Sequence, residues 1–147
     1  MTEVVQSTDT IFQVLSHEHR ELEARFAALH ELLAVDFELA RSQYPQLADA
    51  ILAHLHGESE VLLPRLANIP TLEDVLARSR TDHARIEADA RALVLSNLTP
   101  SEWVRGLRRL EAGFEHLIER EEAHVFPAAR RALPIGESHQ LATALHR

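Results

Sequence analysis

Apolar residues return every three or four positions along most of this chain, a period that fits the face of a helix and not the alternation of a strand. Phe12, Leu15, Leu22, Phe26, Leu29 and Leu33 make one stripe, Leu47, Ile51, Leu55, Leu62 and Leu66 a second, and Leu72, Val75, Leu76, Ile86 and Leu93 a third. Helix-start signals punctuate them. Thr10 can cap the first helix with Gln13 reaching back, and that helix fades between Asp36 and Ser42. A second helix is expected over residues 44–67, with Pro45 in its first turn and Pro70 closing the segment. Thr71, followed by Glu73 and Asp74, reads as the cap of a third helix that runs to about Ser96. The clearest start is the fourth, where a capping Thr99, Pro100 at the first helical position and Glu102 at the third coincide. This helix should pass Pro127 and reach about Leu133, with Gly136 ending it. Residues 137–147 leave room for a short fifth helix. Short connections make sequential neighbours antiparallel, so the expected architecture is an all-α, up-down-up-down four-helix bundle forming one domain over residues 1–147.

Composition agrees. Only 4 of 147 residues are Gly, while 46% are hydrophobic and 26% charged, which suits a helical chain that buries a core. With no cysteine, disulfides, thiolate metal sites, iron–sulfur clusters and cysteine nucleophiles are all excluded. No stretch approaches the roughly 18 apolar residues of a membrane helix, and the first residues lack a basic segment followed by an apolar run. A cytoplasmic location is the expectation. A formal net charge of -8, with no block of basic residues, argues against nucleic acid and anionic membranes as partners and suits a cationic ligand.

Ten histidines are many for such a chain, and several sit beside carboxylates at helical spacing. His54 and Glu58 are four apart, about one turn and roughly 6 Å of rise on the same face. His83 and Glu87 repeat the step on the third helix, and His19 and Glu23 on the first. His116 breaks the pattern. Its nearest suitable carboxylate is Glu121, five residues on and about 140° round a regular helix, so a local bulge or a wide metal pair is required. Glu58 and Glu121 each lie six residues before a proline, Pro64 and Pro127, in two halves of the chain that look like a duplicated hairpin. Imidazole and carboxylate suit Fe, Mn or Zn, and a carboxylate can bridge two cations, so two bridging glutamates imply two metals. Several buried carboxylates without a cation would cost several kcal/mol each, on the order of the whole stability of a domain.

With His19, the His54 and Glu58 step, His83, and the five-residue step from His116 to Glu121, residues 15–133 resemble the hemerythrin-like (HHE cation-binding) family. The resemblance implies a pair of non-haem irons bridged by two carboxylates and by an oxo or hydroxo group. It also implies an open iron position for dioxygen, nitric oxide or peroxide. The metal ligands it points to are His19, His54, Glu58, His83, His116 and Glu121, and the four-residue step after His83 adds Glu87 as a candidate. Glu87 departs from oxygen-carrying members, which have a second His there. A carboxylate at that position either ligates and favours the oxidised pair or stands back and opens one iron, and both routes lean toward peroxide or redox chemistry, or sensing.

Two functions stay open: a sensor, carrier or store that binds a diatomic ligand or peroxide, and a redox enzyme that decomposes peroxide or reduces a small oxidant with an unidentified redox partner. A metal-free helical interaction module is the third, and it needs the His and Glu repetition to be chance. His17, His30, His56, His124, His139 and His146 read as non-ligands, Glu23 as a surface ion pair with arginine, and Trp103 and Tyr44 as packing residues. The step from Glu121 to His124 resembles ferritin-like carboxylate proteins, but it occurs once where that fold needs two. No triad, phosphate-cradling loop or dinucleotide fingerprint is present.

Overall fold

The computed structural model describes residues 9–95 and 97–145, and every regular element among them is helical. The expected helix end at Ser96 and the histidine at 146 lie outside the described residues. Helix α1 (Ile11–Val35) starts where the sequence indicates: the Gln13 N–H donates to the Thr10 hydroxyl and the Thr10 N–H to the Gln13 side chain, satisfying donors that the first turn would leave bare. Asp36 then does two jobs. Its N–H donates to the Leu32 carbonyl at 2.8 Å, closing α1, and its carboxylate accepts from the Leu39 N–H at 3.1 Å, opening α2 (Phe37–Gly57). The expected break over residues 36–42 therefore shrinks to one residue, because an aspartate cap can start a helix without a preceding loop. Pro45 lies inside α2 instead of at its start, and the helix forgoes one backbone hydrogen bond there.

Nor does α2 run unbroken to residue 67. Residues Glu58–Leu62 form a π turn, in which the Leu63 N–H reaches back five residues to the Glu58 carbonyl, and a short α3 (Leu63–Leu66) follows. The next proline explains the wide turn: Pro64 has no N–H to donate and its ring crowds the carbonyl four residues back, which a widened turn accommodates. A 3₁₀ turn, Pro70–Leu72, leads into α4 (Glu73–Val94). Thr71, the expected cap, sits inside that turn and Leu72 takes the cap position with no side-chain hydrogen bond, since Pro70 bends the chain into helical geometry ahead of it. Helix α5 (Pro100–Arg120) opens as the sequence indicates, with the Thr99 and Glu102 capping box closed in both directions. A second π turn, Glu121–Val125, precedes α6 (Phe126–Ala132), and the Phe126 N–H again reaches back five residues, to the Glu121 carbonyl. Helix α6 ends because Leu133, which precedes Pro134, is extended. Gly136 thus falls inside the fifth long helix, α7 (Ile135–Leu145), and ends nothing.

The helices form a bundle in which α1 packs on α2 and α7, α2 on α4, and α4 on α5. Its interior has two apolar clusters. One gathers Phe26, Tyr44, Ile51, Trp103 and Phe114; the other Phe12, Leu15, Leu62, Leu66 and Phe126. His19 bridges them, its ring stacked on Phe126 with centroids 5.8 Å apart and set edge-on to Phe114 at 6.3 Å. No helix among the described residues is long and apolar enough to cross a membrane.

Candidate metal centre

Five buried polar side chains meet where the two apolar clusters adjoin: His19 from α1, His54 from α2, Glu58 and Glu121 from the first residues of the two π turns, and His83 from α4. Glu58 is fully buried and Glu121 nearly so. The carboxylates lie between the imidazoles. Glu58 Oε1 is 3.0 Å from His83 Nε2, while its Oε2 is 3.4 Å from His54 Nε2 and 3.9 Å from His19 Nε2. Glu121 Oε1 is 3.0 Å from His19 Nε2 and its Oε2 is 3.5 Å from His83 Nε2. Each carboxylate therefore turns one oxygen to His19 and one to His83, with His54 on the His19 side.

Burial works against every charge here, and at four of the five groups the opposite charges outweigh it. Desolvation alone would lower the imidazoles, yet the neighbouring carboxylates raise His19, push His54 up to about 10 and His83 up to about 9. Burial would raise Glu58, but His54 above all holds it well below the usual carboxylate range; Glu121 is raised, by burial first and by the charge of Glu58 second. The buried carboxylates thus favour positive charge at the three imidazoles.

The fit to a metal rests on unpaired atoms. His54 Nε2 and both oxygens of Glu58 are buried without a hydrogen-bond partner, although imidazole nitrogens lie close by. Unpaired buried polar atoms are rare and costly, and a cation bound between them would satisfy all three. His19, His54, Glu58 and Glu121 each offer one donor atom, and the four atoms lie within 4.8 Å of one another. Imidazole nitrogen with carboxylate oxygen and no sulfur is the donor set of iron, manganese or zinc.

The outer nitrogens are held as well. His54 Nδ1 donates to Glu18 at 2.7 Å, His19 Nδ1 to Glu122 at 2.7 Å, and His83 Nδ1 is 3.2 Å from the Ser59 hydroxyl. Such contacts set the ring orientation and present Nε2 to the centre. Glu18, Ser59 and Glu122 escaped the sequence reading. Their only signal is adjacency to a ligand candidate, and which ring each one meets depends on contacts between helices.

Two residues expected in the site are not brought to it. His116 is exposed, with Arg120 donating to its Nε2 at 3.0 Å. The bulge that the five-residue step required does exist, but it begins at Glu121, after the step is complete. Residues 116–120 remain regular α-helix, so His116 stays about 140° away while Leu117, four before Glu121, faces inward and is fully buried. Three elements, not four, therefore contribute an imidazole. Glu87 has 38% of its side chain exposed and pairs with Arg91 at 3.2 Å and with His56 at 3.6 Å. A four-residue step drifts about 40° round a helix, enough to carry Glu87 from the buried edge of α4 to the rim. Glu23 meets Arg20 at 3.5 Å. His17 and His30 pair with Glu21 and Glu111, and His139 donates to the Asp9 carbonyl at 2.7 Å.

No curated protein and no solved structure was found to match the chain. Residues 10–132, from the cap of α1 to the end of α6, match the Hemerythrin HHE cation binding domain. The match spans all five clustered residues and both π turns, and the chain belongs to the hemerythrin HHE cation-binding domain family.

Proposed function

We propose that His19, His54, Glu58, His83 and Glu121 hold a pair of non-haem iron ions with Glu58 and Glu121 as the bridging carboxylates, in an up-down four-helix domain that binds dioxygen, nitric oxide or peroxide as a sensor, carrier or store. The observation that carries this reading is the unpaired, fully buried Glu58 carboxylate beside the unpaired Nε2 of His54. When bound, the iron supplies one-electron redox chemistry and an open position for a small ligand.

The chain's own contribution is to bind, orient and shield. Glu58 and Glu121 supply the negative charge that offsets the cations. Glu18 and Glu122 hold His54 and His19 by Nδ1, which keeps Nε2 free of its proton when the cation arrives. Phe114 and Phe126 flank the imidazoles and exclude bulk water. A surface groove of about 290 Å³, lined by Glu18, Leu22, Ala50, Ala53 and Leu145, reaches His54 between α1, α2 and the end of α7. It borders the centre on the His54 side only, and Glu18, Glu21 and Arg25 give its wall charges of both signs.

The test is to load the protein anaerobically with ferrous iron, expose it separately to dioxygen, nitric oxide and hydrogen peroxide, and record visible spectra and oxygen release. A spectrum that changes reversibly with a diatomic ligand, without turnover, is the expected result. Steady oxygen release from peroxide would replace the sensor or carrier with a peroxide-decomposing enzyme. A folded chain that takes up no iron would overturn the reading.

A further inference from the structure

Residues 54–64 and 117–127 follow one register. Glu58 and Glu121 each open a π turn, Pro64 and Pro127 each follow six residues later, and the N–H five residues after each glutamate returns to its carbonyl. Four residues before Glu58 stands His54, 4% exposed and aimed at the centre; four before Glu121 stands Leu117, fully buried. The same inward position therefore carries a nitrogen in one half and only carbon in the other.

Resting on the reading of a two-metal centre, we infer that its two positions are unequal: a tight one on His19 and His54, and a weak one on His83. The tight position commands two imidazoles with Glu58 Oε2 and Glu121 Oε1, the four residues whose donors gather within 4.8 Å. The weak position commands His83 Nε2 with Glu58 Oε1 at 3.0 Å and Glu121 Oε2 at 3.5 Å, one donor fewer. Neither residue that would complete it is present, since His116 is exposed and Glu87 is engaged with Arg91.

The outer contacts widen the gap. Carboxylates hold both rings of the tight position, whereas the hydroxyl of Ser59 holds His83. Asp82, which precedes His83 as Glu18 precedes His19, pairs with Arg120 instead of an imidazole. A position with three protein donors leaves more of its metal's coordination shell to water or a small ligand, so the inference also places ligand exchange on the His83 side.

Anaerobic titration of the purified chain with ferrous iron alone, read by equilibrium dialysis and elemental analysis, tests this. Two steps are expected, the second weaker by about 10- to 100-fold, the range that the loss of even an outer contact produces. His83→Leu should remove the second step and keep the first; His54→Leu should weaken the first. Leu117→His should strengthen the second step while the first stays in place. Two equivalents of equal affinity, or loss of the first step in His83→Leu, would overturn the inequality and leave the metal centre standing. No saturable uptake at all would overturn the centre itself. Helical circular dichroism checks each variant, and if Leu117→His does not fold, the unmodified chain and His83→Leu still decide.

Discussion

The bundle treats buried polarity in two opposite ways. At the Trp103 end, each polar atom carried inward by a large side chain finds a protein partner: the Tyr44 hydroxyl donates to the Ala90 carbonyl at 2.8 Å and the Trp103 indole N–H to the Leu93 carbonyl at 3.2 Å. At the histidine cluster, buried atoms of His54 and Glu58 have none. The two regions share helices and the same kind of apolar wall, so the difference lies in purpose. Polar atoms that only help large side chains pack are satisfied inside the fold, whereas those of the cluster are left for a ligand that the fold does not itself supply.

Removing the packing end should cost the most. Trp103 is fully buried against Tyr44 and Phe37 with ring centroids 5.5 and 5.7 Å away, so Trp103→Ala should lower stability by about 3–5 kcal/mol in urea unfolding. Its stoichiometry of bound cation should not change; a variant that loses both would dissolve the distinction between the regions.

The complementary change is Glu58→Gln, which keeps the shape and removes the charge. A cation present at 100 times its dissociation constant should stabilise the native chain by about 2.7 kcal/mol, and that gain should vanish in Glu58→Gln while persisting in Trp103→Ala. The readout is the shift of the thermal midpoint on adding ferrous iron. An undiminished shift in Glu58→Gln would show that the cation binds elsewhere.

Acidity sharpens the contrast further. The metal-free cluster holds His54 up at about 10 and His83 up at about 9, above the ordinary 6.5. Both values are raised on folding, so the stability these imidazoles contribute is present below the ordinary value and is lost as pH rises through about 9 and then 10. Cations must displace the same protons, so apparent affinity should climb over that window as stability of the metal-free chain declines. Unfolding curves and cation titrations measured at matched pH values check both signs. Affinity that is flat with pH would mean that the imidazoles do not ligate. The smallest effect belongs to Tyr44→Phe, which removes one hydrogen bond at the packing end and should cost about 1 kcal/mol with cation uptake unchanged.

Much of this was legible in advance because it is local. The capping boxes at Thr10 and Thr99, the all-helical class and the placing of His54 with Glu58 on one face depend on residues within a turn of each other, and a period of 3.6 carries them directly. Asp36 and Thr71 were harder: whether a polar residue caps a helix or is absorbed into a turn depends on the backbone on both sides, and Pro70 settled the second case.

What the sequence determined by itself was therefore the helical class, the clearest helix starts and the inward-facing pairing of His54 with Glu58, since each follows from spacing along one helix. What the tertiary structure decided was phase and partnership. The second π turn begins at Glu121 and not before it, so Leu117 faces inward and His116 outward. Glu87 turned to Arg91, and Glu18, Glu122 and Ser59 became the partners of imidazoles on other helices. A hydrogen bond between residues 24 to 103 positions apart is set by how helices pack against one another, which no local period encodes.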